Sequence, residues 1–143
     1  MKLTIYSDGA SRNNPGHAGL GVVVKDGNKT VAEIAEYLGK TTNNVAEYMA
    51  FIRGLEEALA LGAKEVNCYA DSELLVRQLN GDYKVKNEGL APLYHHAVAL
   101  SKKFKSFSVE YIPREKNKAA DALSNQAIDD HHASTHGPLF GTI

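Results

Sequence analysis

One cysteine, Cys68, stands in a chain of 143 residues, so no intramolecular disulfide can form and the sequence suits a reducing compartment. An excess of one charge is also missing. Sixteen Lys and Arg against seventeen Asp and Glu leave a formal net charge of -1, which excludes the global basic field that draws many proteins onto nucleic acid. Any polyanionic partner must therefore be held by local patches or by metal ions. No apolar run approaches the roughly 18 residues that span a bilayer, and Asp8 interrupts the N-terminal apolar stretch before it could form the core of a signal peptide. No membrane partner is expected, and the cytoplasm is the expected location. There is no internal repeat and no low-complexity linker. With 43% hydrophobic and 23% charged residues, the chain reads as one globular domain, long enough to bury a core without a structural metal, and by default a monomer.

Residue periodicity supplies the architecture. Lys2 to Asp8 alternates in strand formers, Gly19 to Lys25 reads as a second strand after a loop of Gly, Ser, Asn and Pro, and Asp26-Gly27-Asn28 signals a tight turn into a third strand over Thr30 to Leu38. Val45, Tyr48, Met49, Ile52, Leu55 and Leu59 then recur at three and four, which predicts a helix ending near Gly62. A short strand (Glu65 to Ala70), a short helix through Leu79, a longer helix (Leu90 to Phe104), a strand (Phe107 to Ile112) and a final helix from about Lys118 complete the reading. A meander of strands followed by alternating helices and strands implies an α/β domain built on a mixed sheet covered by helices. The segment from Asp129 to Ile143 changes character and gathers three histidines, so residues 1–128 are expected to form the domain and 129–143 a C-terminal tail, docked or disordered. Leu139, Phe140 and Ile143 are the side chains that would dock it.

Four carboxylates sit at element junctions, and each has an ordinary structural use. Asp8 precedes Gly9 in a turn-like pair. Glu47 follows Asn44 by three, as in a capping box. Asp71 precedes a helix, where it would serve as an N-cap. Asp121 lies in the first turn of the last helix, where it would complement the dipole. Taken together they mean more. If the first and fourth strands are neighbours, Asp8 and Asp71 leave adjacent strand ends, which is where α/β sheets place ligands, and Glu47 shares its helix face with Ala50, Phe51 and Gly54, so it points at the sheet. Converging carboxylates raise one another's pKa unless a cation neutralises them. All-oxygen ligation favours a hard divalent ion, Mg2+ or Mn2+.

The words around these residues carry a resemblance. Tyr6 to Gly16 (YSDGASRNNPG), Thr41 to Glu47 (TTNNVAE), Tyr69 to Ser72 (YADS) and Asn117 to Asp121 (NKAAD) resemble, in order and spacing, the four motif blocks of type 1 ribonuclease H, from Leu3 to about Ile128. The resemblance implies a ribonuclease H-like fold: a five-stranded mixed sheet, its first three strands antiparallel and the others parallel. It also implies an endonuclease that hydrolyses the RNA strand of RNA/DNA hybrids with two Mg2+ ions per active site, Mn2+ serving as substitute, and leaves 5'-phosphate and 3'-hydroxyl ends. Asp8, Glu47, Asp71 and Asp121 would be the catalytic metal ligands, with Asp8 bridging. Substrate contacts carried over by resemblance are Gly9 and Ser11 with Glu47 at 2'-hydroxyls, Asn14 and Asn44 in the minor groove, Thr42 with Asn44 at a DNA-strand phosphate, and Arg114 at a phosphate.

The sequence also departs from the pattern. The loop before Asp121 lacks the histidine of many relatives, and Arg114 cannot shuttle protons; His131, His132 and His136 of the tail are the available substitutes, although solvated histidines are the ordinary expectation there. Glu73 stands where relatives place a base-contacting glutamine. The basic handle shrinks to Asn80–Gly89, with only Lys84 and Lys86. A non-cleaving binding module for hybrid or double-stranded RNA, and a different nuclease or phosphotransferase on the same architecture, stand as alternatives.

Overall fold

A computed structural model describes residues 1–136. Its elements run β1 (Lys2–Ser11), β2 (Gly16–Asp26), β3 (Lys29–Thr41), α1 (Asn43–Ala60), β4 (Glu65–Ala70), α2 (Glu73–Leu79), α3 (Ala91–Ser101), β5 (Ser106–Tyr111), a 3-10 turn (Arg114–Lys116) and α4 (Lys118–His136). The sheet has the order β3-β2-β1-β4-β5. β1 to β3 pair antiparallel, whereas β1 with β4 and β4 with β5 are parallel, as the resemblance implied. No helix among the described residues is long and apolar enough to cross a membrane.

Two helices grip the centre of the sheet from opposite sides. Leu3 and Ile5 of β1 and Leu20, Val22 and Val24 of β2 are buried in a core with Tyr48, Phe51 and Leu55 of α1. This is the face that the three-and-four stripe of α1 demands. On the other face, Ala120, Ser124, Ala127 and Ile128 form the buried stripe of α4, and it seats on glycine: a Cβ at Gly21 would strike the backbone of Ala120 and Ser124, and one at Gly19 would strike the backbone of Ser124. Residues 18–24 are therefore buried on both faces, which explains why this strand reads as an unbroken small and apolar run rather than an alternation.

Helix ends use neighbours of the residues expected to cap them. Thr42, not Asn44, caps α1, its Oγ1 accepting from Val45 N at 3.3 Å, and Ser72, not Asp71, caps α2, its Oγ accepting from Leu75 N at 3.2 Å. α1 ends at Ala60, and Gly62, two residues on, has a φ of +87° that admits the left-handed turn closing the helix. The expected boundary after Ile128 falls inside a helix, because α4 runs on to His136 and the first breaker is Gly137-Pro138. Leu139, Phe140 and Ile143 lie outside the described residues.

The seating of α4 on β2 is testable. Gly21→Ala should cost about 1–3 kcal/mol or more, because the obstruction is helix backbone that cannot step aside. Gly27→Ala, in the open β2–β3 turn at φ +61°, should cost only the left-handed penalty of about 1 kcal/mol. Urea unfolding of the two variants measures the difference, and equal stabilities would show that α4 does not rest on Gly21.

Candidate functional site

Register brings the first two carboxylates together. Ser7 of β1 pairs with Ala70 of β4 in the parallel ladder, so Asp8 and Asp71 follow at the same end of adjacent strands. Glu47 reaches them from α1. Its Oε1 accepts a hydrogen bond of 2.7 Å from Gly9 N, and the close approach exists because a Cβ at Gly9 would overlap the α1 backbone at Ala46 and Glu47. Since Thr42 and Ser72 do the capping, Glu47 and Asp71 are left for the cleft. Asp8, Glu47 and Asp71 each place one oxygen within 4.8 Å of the others.

Asp121 stands outside that trio but close enough to Asp8 for its charge to raise the Asp8 carboxyl. Its Oδ1 lies 3.7 Å from Arg114 Nη2. Asn125, one turn on, donates from Nδ2 to Asp121 O at 3.0 Å and to Asp121 Oδ1 at 3.4 Å. Arg12 fastens this turn to the loop after β1: its Nη2 donates to Asn125 Oδ1 at 3.3 Å, and its Nη1 pairs with Asp129 at 2.8 Å. Asn117 Nδ2 donates to Ser7 O at 2.9 Å and to Asp71 Oδ2 at 3.3 Å. Sequence reasoning gave Arg12, Asn117 and Asn125 no role. Two of them sat in the motif blocks, and the third is signalled only by its i+4 spacing from Asp121.

The electrostatics follow from crowding. Burial pushes the Asp8 carboxyl up from 3.8 to about 10, with the charges of Glu47, Asp71 and Asp121 adding to the rise. Burial likewise raises Glu47 from 4.5 to about 8, and the charge of Asp71 adds to it, although the Gly9 amide and Arg114 pull the other way. Both shifts say that burial, with neighbouring negative charge added to it, disfavours the ionised forms of Asp8 and Glu47.

The carboxylates line an open cleft of about 420 Å³ with Gly9, Ser11, Asn44 and Arg114. The other two expected substrate contacts, Asn14 and Thr42, meet Asn44 in a neighbouring cavity of about 320 Å³ that Asn87 and Gly89 also line. Several of these groups also hold the loops in place. Ser11 N donates to Asn43 Oδ1 at 2.7 Å, and Asn43 N donates to Asn14 Oδ1 at 2.9 Å. Glu73 is paired with Arg77 at 3.0 Å. The tail histidines correct an expectation: His131 stacks on Tyr37 with ring centroids 3.7 Å apart, and Tyr37 hydroxyl lies 2.7 Å from His17 Nδ1. His131 and His132 are engaged where α4 crosses β2 and β3, and neither lines the carboxylate cleft.

The profile of a family described as reverse transcriptase-like matches residues 6–127. The bifunctional protein Rv2228c of Mycobacterium tuberculosis is 46% identical over 131 residues, 90% of this chain, and the chain spans only 36% of that relative's length. The structure of RNase H1 from Halobacterium salinarum superposes with a TM-score of 0.89 at 39% identity, covering 91% of this chain and 99% of that one. LC11-RNase H1, solved in complex with RNA/DNA hybrid, gives a TM-score of 0.86 at 44% identity, covering 90% and 98%. With its four motif blocks, its strand order and these matches along most of its length, the chain belongs to the type 1 ribonuclease H family.

Proposed function

We propose that this domain is an endoribonuclease that hydrolyses the RNA strand of RNA/DNA hybrids with two divalent ions, Mg2+ or Mn2+, leaving 5'-phosphate and 3'-hydroxyl ends. The observation that carries the reading is the meeting of Asp8, Glu47 and Asp71 within 4.8 Å where the parallel β1–β4 ladder ends, with Asp121 near Asp8. LC11-RNase H1, whose structure contains a hybrid, supports the substrate class.

The donor set fits hard cations: every candidate ligand is a carboxylate oxygen, and the cluster is short of positive charge. By the resemblance Asp8, Glu47, Asp71 and Asp121 would hold the ions, and Asp8 would be the ligand they share. When bound, the ions supply a water of lowered pKa and charge stabilisation at the leaving 3'-oxygen. The chain's own groups do the rest. Arg114, at the mouth of the cleft, offers donors to a phosphate but no proton relay. Gly9 N–H is committed to Glu47, so a 2'-hydroxyl at this point is read by the Glu47 carboxylate as acceptor. Asn14, Thr42 and Asn44 share a cavity one step along the same edge, suited to the partner strand's backbone. The cytoplasm remains the proposed location, and residues 1–128 with the rest of α4 form the proposed catalytic unit.

The decisive experiment is gel-resolved cleavage of an end-labelled hybrid with Mg2+, with Mn2+ and with EDTA. Wild-type protein should cut the RNA strand only with metal, and Asp71→Asn should lose at least about a hundredfold in rate. Tight binding of hybrid with no cleavage in any metal would replace the enzyme by a binding module.

Linkage gives a second prediction that needs no substrate. The folded-state pKa values of Asp8 and Glu47, about 10 and about 8, lie above their ordinary values of 3.8 and 4.5, so between those limits the folded state holds protons that the unfolded chain has released. Stability of the metal-free protein therefore falls as pH rises from about 4 through 8 to 10. Asp8→Asn should flatten that fall and abolish turnover, and Mg2+ should raise the wild-type melting temperature more at pH 8.5 than at pH 5.5. Melting curves at the two pH values, with and without metal, measure it; a metal effect that is larger at pH 5.5 would overturn it.

A further inference from the structure

Asn117 is 2% exposed and sits at the join of three elements. Its backbone N–H donates to Arg114 O at 2.9 Å, closing the 3-10 turn, and its backbone O accepts from Asp121 N at 3.1 Å, starting α4. Its Nδ2 donates to Ser7 O, the residue before Asp8, and to one oxygen of Asp71. A single residue thus touches the strand that carries Asp8, the carboxylate of Asp71 and the turn that carries Asp121. Its Oδ1 is the one buried side-chain polar atom among the described residues without a hydrogen-bond partner.

That orphaned oxygen shows what the amide is for. A buried acceptor left unpaired costs stability, and a leucine of similar size would remove that orphan but leave the Ser7 carbonyl without its donor. What leucine cannot supply is the pair of N–H donors aimed at Ser7 and Asp71. We propose that Asn117 is a positioning residue, holding the Asp71 carboxylate against the end of β1 so that its oxygens keep the separation from Asp8 that a divalent cation requires. The proposal rests on the reading of the cleft as a divalent-metal site. A neutral donor suits this task. Lysine or arginine in its place would hold Asp71 equally well but would bring a positive charge to compete with the cation.

The test is Mn2+ titration by calorimetry, without substrate, on wild type, Asn117→Leu and Asn117→Ala, beside kcat and KM on a hybrid and melting curves without metal. Asn117→Leu should still fold, melting somewhat below wild type without metal through the lost Ser7 hydrogen bond, bind Mn2+ about 10- to 100-fold more weakly, and lose kcat with KM for the hybrid unchanged; raising Mn2+ should restore part of the kcat. A folded variant with wild-type Mn2+ affinity would overturn the proposal and leave the metal reading standing. Failure of wild type to bind Mn2+ would overturn the metal reading, and this proposal with it. If neither variant folds, Asn117 serves the fold alone and the proposal is equally overturned.

Discussion

Negative charge confined where the parallel pairing of two strands ends is the constraint on which the site depends. Asp8 and Asp71 are neighbours because β1 and β4 are paired parallel and in register up to Ser7 and Ala70, and Glu47 is added by a helix that a glycine lets within hydrogen-bond distance of β1. Once the backbone has placed three carboxylates within 4.8 Å, only three outcomes are open to them: protonation, separation or a cation. The pKa rises of Asp8 and Glu47 describe the first outcome. The hydrogen bonds from Gly9 to Glu47 and from Asn117 to Asp71 oppose the second. Near neutral pH the metal-free site stays with the first outcome, and a cation that binds must displace those protons.

Much of the surrounding structure serves to hold that arrangement. Thr42 and Ser72 satisfy the amide groups at the two helix starts, so Glu47 and Asp71, either of which has the chemistry to cap, are released. Asp121 depends on a longer chain of support. It rides on α4, whose stripe of Ala120, Ser124 and Ile128 needs the bare backbone of Gly19 and Gly21 to sit low on the sheet, and Arg12 and Asn125 tie the first turns of that helix back to the loop after β1. A substitution at Gly21 would therefore reach the fourth carboxylate without touching it.

What the sequence disclosed and what it hid divide along physical lines. Element types were legible wherever burial was one-sided, as in α1, whose apolar stripe matches the buried Tyr48, Ile52 and Leu55. The four carboxylates were legible because they recur in ordered blocks. Caps were not, since Thr42, Asn43 and Asn44 are chemically similar candidates and only backbone geometry selects among them. The extent of α4 was hidden by its polar composition beyond Ile128; what keeps it helical includes the stacking of His131 on Tyr37 of a strand about ninety residues earlier, a contact with no local signature. Asn117, Asn125 and Arg12 were hidden for the same reason. Apart from the i+4 pairing of Asn125 with Asp121, their partners lie on other elements or are backbone atoms, and periodicity carries no trace of either.

Charge connects the site back to the composition. The chain carries a net charge of -1, and the cleft concentrates four carboxylates against two arginines, one of them, Arg12, already paired with Asp129. Without cations such a cleft offers a phosphate backbone little attraction, so the ions of the proposed chemistry would also supply the positive field that a polyanion meets. Binding of cation and of nucleic acid is then coupled, and the coupling is reciprocal: each raises the affinity for the other by the same factor. A family member with a long basic handle can hold its substrate through lysines far from the reaction. Here the handle is reduced to Asn80–Gly89 with two lysines, so on the proposed reading a larger share of substrate affinity would come from the same few ångströms of carboxylate and cation as the reaction itself.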